Sequence, residues 1–124
     1  MRLARARVQN YRSIKDSGWF ELEPGKTILV GANEAGKTAV MRVLEHLRPG
    51  PLVKPLVPLR DFPRSELHQI QRGTLDPKDV VVVEAEYELD DADRADIGDI
   101  SPHFTACGSM RLRLDNHLLE LNCR

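Results

Sequence analysis

The sequence predicts a mixed α/β fold in which a largely antiparallel group of strands packs against one main helix. Three observations predict it. Polar and apolar residues alternate over Ala4–Val8 and again over Glu84–Leu89, within a predicted strand at Val80–Leu89, as in strands with one buried face. Apolar residues recur at helical spacing over residues 37–48. The segment Met110–Leu121 has the pattern of a β-hairpin, with the turn-forming pair Asp115-Asn116 at its tip.

A glycine-rich loop precedes the helix, with the sequence Gly31-Ala32-Asn33-Glu34-Ala35-Gly36-Lys37-Thr38 and the spacing G-x-x-x-x-G-K-[ST]. Glycines let the backbone approach phosphate oxygens closely, and consecutive N–H groups can form an anion-binding nest. In such a loop the lysine contacts the β- and γ-phosphates of a nucleoside triphosphate, and the hydroxyl holds Mg²⁺. The sequence therefore predicts that Lys37 and Thr38 have these roles.

The segments around the loop predict a strand, a loop and a helix in succession. Asn10–Ser13 predicts a turn after the first strand, and Trp19–Leu22 predicts a short strand paired with it. The continuous apolar run Thr27–Val30 predicts a buried parallel strand directly before the loop. The helix 37–48 is expected to end at Pro49-Gly50-Pro51, because proline cannot continue a helix.

The chain of 124 residues is expected to be a single domain. Ser65 is expected to cap a short helix that runs through Ile70 and ends near Gly73. Asp90 is expected to cap an acidic helix that runs toward Ile97. The domain divides into a phosphate-loop core at 1–48, an irregular proline-rich region at 49–75, and a strand, acidic helix and hairpin at 76–124.

Charge is unevenly distributed along the chain. The formal net charge is −1, so the chain as a whole presents no strong field to a nucleic acid. Residues 1–48 contain nine Lys or Arg and five Asp or Glu, which gives +4 and favours phosphate ligands. Residues 76–99 contain two Lys or Arg and ten Asp or Glu, which gives −8 and is interpreted as a solvated face.

Cysteine and histidine spacing indicates neither a disulfide framework nor a metal site. The two cysteines, Cys107 and Cys123, lack C-x-x-C spacing, and a reducing cytoplasm is the default expectation. No apolar run has membrane length, and the N-terminus lacks the apolar segment of a signal peptide, so no membrane partner is expected. None of the histidines has a Cys or Glu at metal-ligand spacing; they are His46, His68, His103 and His117.

The N-terminal third resembles a known family. A strand, the segment Asn10–Asp16, a second strand and the segment Pro24–Thr38 together resemble the N-terminal lobe of an ABC-type ATPase head of the SMC, RecF and OLD (overcoming lysogenization defect) group, an AAA-family ATPase in the broad sense. Asn33, in the pattern G-x-N-x-x-G-K-[ST], is typical of these heads. The segment Arg60–Pro63, with the strand, acidic helix and hairpin that follow, is similar to OLD-type ATPases.

The resemblance implies a P-loop NTPase fold that binds ATP and Mg²⁺. It places Arg12, in the turn after the first strand, near the bound nucleotide; Arg12 then contacts a phosphate, or it is a surface arginine on a turn. It also suggests Gln69 or Gln71 as the Mg²⁺- and water-sensing glutamine. The other nucleotide-binding residues that it implies are Gly31, Asn33, Glu34, Ala35, Gly36, Lys37, Thr38 and Ala39, with Thr38 on Mg²⁺.

The motifs that such heads use for hydrolysis are not found in the sequence, so no catalytic residue is assigned. Val80–Glu84 looks at first like a Walker B strand, but Ala85 follows and the alternation continues, which favours an antiparallel strand. The chain is therefore interpreted as a fragment of a longer protein. In the intact protein, the resemblance implies ATP hydrolysis with the C-terminal half of the same head and a second head in a homodimer, acting on DNA in repair, processing or defence.

Two other interpretations stay open. The chain could be a small self-contained NTPase or phosphotransferase, for which Glu84 is the only candidate acid. It could instead be a non-enzymatic interaction module with a relic phosphate loop, which contacts a partner through the acidic residues 76–99 or the proline-rich region.

Overall fold

Six strands and four α-helices make up the computed structural model over the residues that it describes, which are 1–30, 34–47, 51–52, 54, 56–100, 109–114 and 119–123. None of the helices in these ranges is long and apolar enough to cross a membrane. The elements in chain order are β1 Arg2–Tyr11, β2 Ile14–Asp16, β3 Phe20–Glu21, α1 Glu34–Glu45, α2 Pro58–Asp61, α3 Arg64–Gln71, β4 Val83–Glu88, α4 Asp91–Ile100, β5 Ser109–Leu114 and β6 Leu119–Cys123.

The strands form one antiparallel sheet in the order β2-β1-β4-β5-β6, and β3 also pairs with β1. The ten-residue β1 is the organising strand, with Ala6 opposite Ala85 and Val8 opposite Val83 on β4. The predicted strand at Ala4–Val8 and the predicted pairing of the Trp19–Leu22 region with it are confirmed. The short strand β2 was not predicted.

One face of the sheet carries the core. Successive side chains of a strand point to opposite faces, so Val8 and Val83 share a face, and α1 covers it. Ala39 and Val43 are the buried residues of α1 in this cluster, with exposed fractions of 3% and 0%. The other buried members of the cluster are Tyr11, Phe62, Val80 and Val82.

The opposite face carries charged side chains that pair across the strands. Glu86 on β4 accepts hydrogen bonds from Arg5 on β1 at 2.8 Å and from Arg111 on β5 at 3.3 Å. Both guanidinium groups also contact the Trp19 ring, whose centre is 4.8 Å from that of Arg5 and 5.0 Å from that of Arg111. Cation–π contacts and shared ion pairs of this kind connect three strands on the polar face.

A measurement of the Asp16 pKa tests the ion pairing on this polar face. Arg7 donates from Nε to Asp16 Oδ1 at 3.0 Å, and the Gly18 N–H donates to the same oxygen at 2.8 Å. The hydrogen bond from Arg7, followed by that from Gly18, lowers the pKa of Asp16 to about 2. We expect Arg7→Gln to raise this pKa toward the ordinary value of about 3.9 in an NMR titration of the carboxyl carbon. The return is incomplete because the Gly18 N–H still donates to Oδ1. Substitution of the exposed Arg72 should leave the pKa of Asp16 unchanged, and a pKa near 4 in the parent chain would contradict the pairing.

The predicted parallel strand at Thr27–Val30 is wrong. The segment has no regular secondary structure, and Ile28, Leu29 and Val30 are 69%, 37% and 90% exposed. A parallel strand needs neighbours on its edges and cover on its faces. All strand pairs in the described part of the chain are antiparallel, and none of them includes this segment.

The proline-rich region is more helical than the sequence predicted. The prediction of an irregular region is wrong for Pro58–Asp61, because proline is favoured at the start of a helix. The predicted short helix through Ile70 is confirmed as Arg64–Gln71. Pro63, not Ser65, occupies the N-cap position of α3, and no side chain caps that helix. Gly73 adopts a φ of 75° just beyond the helix, which confirms the predicted end.

Residues 80–100 follow the prediction closely. The strand begins at Val83 rather than Val80, and the helix after it extends to Ile100. The Asp90 carboxylate accepts a hydrogen bond from the Asp93 N–H at 2.8 Å, so the predicted cap is confirmed.

The hairpin is confirmed as an antiparallel pair of β5 and β6, with Leu114 opposite Leu119. A two-residue turn at 115–116 would have placed 114 opposite 117, so the second strand pairs two residues later than predicted. The tip at 115–118 lies outside the described residues.

Candidate nucleotide-binding site

The end of the phosphate-loop motif lies at the N-terminus of α1. The helix begins at Glu34, three residues before the predicted start, and Gly36, Lys37 and Thr38 lie in its first two turns. The first N–H groups of a helix have no partner within the helix and carry the positive end of its dipole. Gly31 and Asn33 lie outside the described residues, as do the side chains of Glu34 and Ala35.

The packing of α1 determines what this N-terminus presents to solvent. Ala39 and Val43 are buried against the sheet, whereas Lys37 is half-buried and Thr38 is exposed. An ammonium group, a hydroxyl group and helix N-terminal N–H groups are the donors and ligands that phosphates and Mg²⁺ require. The described part of the motif therefore fits a magnesium-bound triphosphate. The predicted backbone contact of Ala39 with phosphate stays a prediction.

Arg12 is positioned by Asp61, which lies at the end of α2. The backbone of Arg12 has a φ of 52°, and its N–H donates to the Asp61 carbonyl oxygen at 2.6 Å. Its guanidinium Nη2 lies 3.6 Å from Asp61 Oδ1, and the group stands 5.3 Å from the centre of the Tyr11 ring. Its predicted contact with the nucleotide remains a prediction.

Asp61 is a fully buried carboxylate, with an exposed fraction of 0%. Arg60 donates from Nε to Oδ1 at 2.8 Å and from Nη2 to Oδ2 at 2.7 Å, and the Val57 N–H donates to Oδ2 at 2.8 Å. Burial opposes the charged form, but the hydrogen bonds from Arg60 and Val57 outweigh it and lower the pKa of Asp61. Asp61 thus connects α2 to the turn that follows β1.

The candidate metal-sensing glutamines lie on α3, where Gln69 and Gln71 are exposed. Their relation to Thr38 remains a prediction. Within the described ranges, no group of three or more His, Cys, Asp or Glu residues is placed to hold a metal ion.

Glu84 faces away from the phosphate loop. Its neighbour Val83 packs in the core beneath α1, so the Glu84 side chain points to the opposite face of the sheet. There its carboxylate lies 3.7 Å from Nη1 of Arg7. The antiparallel interpretation of this strand is confirmed, and the Walker B interpretation of Val80–Glu84 is wrong.

No protein-family model, no curated protein and no solved structure matches the chain.

Sequence reasoning missed two features beside Arg12. Asp61 lies in the segment Arg60–Pro63, which the resemblance includes, but no burial and no role were predicted for its carboxylate. The structure also brings Arg42 and Lys54 to the same cavity as Arg12. These cationic residues belong to separate segments, so their proximity depends on the tertiary fold.

Proposed function

We propose that the phosphate loop Gly31–Thr38 binds ATP with Mg²⁺, and that the chain is the N-terminal ATP-binding lobe of an ATPase head similar to those of SMC, RecF and OLD proteins. One observation carries the proposal: Gly36, Lys37 and Thr38 lie at the N-terminus of a helix whose other side is buried against the sheet. A motif match alone would not require this placement.

Each group has a separate task in the proposed complex. The N–H groups at the start of α1 orient the phosphates, and Lys37 offsets their charge. Thr38 provides a hydroxyl ligand for Mg²⁺, and the bound metal supplies charge neutralisation at the phosphates. Ala39 and Val43 hold the helix in place, so the loop keeps its position relative to the sheet.

The proposed role of the intact protein is ATP hydrolysis coupled to DNA repair, DNA processing or defence against foreign DNA. The C-terminal half of the head and a second head would supply the remaining catalytic groups. Glu84 offers no replacement for them, because it lies on the sheet face away from α1 and near Arg7.

Calorimetric titration of Mg-ATP tests the proposal. We expect the parent chain to bind Mg-ATP and Lys37→Ala to weaken binding by about 10- to 100-fold, since a hydrogen bond to a charged group contributes about 1.5–3 kcal/mol. Lys15→Ala is the matched control, because it removes the same charge from an exposed position on β2 and should bind as the parent does.

Two results would contradict the proposal. One is equal Mg-ATP affinity in the parent chain and in Lys37→Ala. The other is the absence of binding by a parent chain that circular dichroism shows to be folded. Turnover of ATP by this chain, lost in Glu84→Ala, would favour a self-contained NTPase instead.

A further inference from the structure

A second cationic site lies beyond the phosphate loop, beside Arg12. An open cavity of about 370 Å³ is lined by Arg12, Arg42, Lys54 and Arg60, and by a single carboxylate, that of Glu45. His46 also lines the cavity. With its imidazole counted as neutral, the lining side chains give a formal charge of +3, in a chain whose net charge is −1. The volume falls within the range of about 300–1,000 Å³ that is common for small-molecule sites.

Two of these cations have no carboxylate partner within the described part of the chain. Arg12 and Arg60 share Asp61, whereas neither Arg42 nor Lys54 forms an ion pair with a described residue. Both residues are exposed, so their charges are available to a ligand.

Arg12 adds an unmet hydrogen-bond donor. Its Nε is buried and has no acceptor among the described residues. A buried donor without an acceptor is unfavourable. Tyr11 also lines the cavity, and burial raises the pKa of its hydroxyl, which therefore remains a donor at neutral pH.

The cavity is separate from the described part of the phosphate loop, Gly36–Thr38. Arg42 follows Lys37 by five residues, which corresponds to about 7.5 Å along α1 and about 140° around its axis. His46, just after the helix, lies 3.1 Å from the Lys54 carbonyl oxygen and connects the two segments that form the cavity. None of Gly36–Ala39 belongs to its described lining.

We propose that this cavity is a second phosphate-binding site, which takes the phosphate groups of a small phosphorylated ligand. Guanidinium groups present a planar fork of donors that matches phosphate oxygens, and three of them converge here from the turn after β1, from α1 and from α2. A compact, multiply charged anion fits a net positive cavity of this size better than a monocarboxylate does. The proposal does not depend on ATP binding at the phosphate loop, and it assigns Arg12 to this cavity in place of the nucleotide contact that the resemblance implies.

Calorimetric titration with pyrophosphate tests it. Because pyrophosphate can also bind at the phosphate loop, the variants are made in the Lys37→Ala background. There we expect Arg42→Gln and Lys54→Gln each to weaken pyrophosphate binding by about tenfold. Glu45→Gln should strengthen it about two- to fivefold, because it removes the one repelling carboxylate. Lys15→Gln, which removes an exposed charge elsewhere, should leave the affinity unchanged. A urea titration of each variant checks that it is folded.

Lys37→Ala separates this site from the phosphate loop. Retained pyrophosphate binding in Lys37→Ala, together with its weakening by about tenfold when Arg42→Gln is added, supports the second site. ADP titrated into Lys37→Ala then distinguishes two kinds of phosphorylated ligand. ADP binding that depends on Arg42 indicates a nucleotide, whereas no ADP binding indicates a ligand without a nucleoside. The proposal is overturned if pyrophosphate binding is already lost in Lys37→Ala itself, or if the folded parent chain binds no pyrophosphate. It is also overturned if an oligonucleotide binds through Arg42 and Lys54 and pyrophosphate does not.

Discussion

Val43→Asp is expected to lower the free energy of unfolding by about 4 kcal/mol or more, because it places an unpaired charge at a buried position. Val43 is fully buried between α1 and the sheet, where it packs in the same cluster as Val8 and Val83. Ala39 and Val43 are the buried residues of α1 in the described cluster, and Val40 and Leu44 pack against it while only partly buried. Urea unfolding followed by circular dichroism and Trp19 fluorescence would measure the change.

Met41→Asp is the matched control for this experiment. It introduces the same charge two residues earlier on the same helix, at a side chain that is 57% exposed. Its free energy of unfolding should stay within about 0.5 kcal/mol of the parent value, as for most surface substitutions. Equal losses in the two variants would mean that α1 does not pack as described. Val43→Asp should also weaken Mg-ATP binding, since the phosphate loop depends on the position of α1.

Asp61→Ala is expected to lower the free energy of unfolding by about 2–4 kcal/mol. The carboxylate accepts hydrogen bonds from Arg60 and from the Val57 N–H, and it faces the guanidinium group of Arg12. Its removal leaves these donors without their acceptor. The loss is smaller than for a fully buried ion pair, because the side chains of Arg12 and Arg60 are 35% and 48% exposed and can be hydrated.

The contribution of Asp61 to the free energy of unfolding should decrease at low pH. Its pKa in the folded chain is lower than in the unfolded chain, so the charged carboxylate stabilises the fold above about pH 4. That contribution is lost as the pH falls through the folded-state pKa. The stability difference between the parent and Asp61→Asn should therefore shrink below about pH 4. Asp96→Asn, at an exposed position, should match the parent across the same range, and a constant difference for Asp61→Asn would contradict the assignment.

Local sequence patterns were sufficient for elements whose stability depends mainly on their own residues. Alternation predicted β1 and β4, because each has one buried and one polar face. Asp90 predicted the start of α4, because a side-chain cap depends only on hydrogen bonds within the first turn of the helix. The motif spacing likewise located Lys37 and Thr38 at the start of a helix.

Features that depend on neighbours were not predictable in this way. The apolar composition of Thr27–Val30 indicated burial, but burial requires a partner, and the segment is exposed. The prolines at 58 and 63 were interpreted as breaks, although proline can also begin a helix, as Pro58 does. The convergence of Arg12, Arg42 and Lys54 comes from packing between distant segments.

The charged face of the sheet has a consequence for contacts between copies of the chain during folding. Each strand there carries one sign of charge: Arg5 and Arg7 on β1, Glu84 and Glu86 on β4. Pairing of β1 with β1 from another molecule would place arginine against arginine, and pairing of β4 with β4 would place glutamate against glutamate. Like charges on facing strands destabilise a ladder. Identical strands of two nascent chains therefore repel each other while β1 and β4 of one chain attract, and added salt weakens this discrimination.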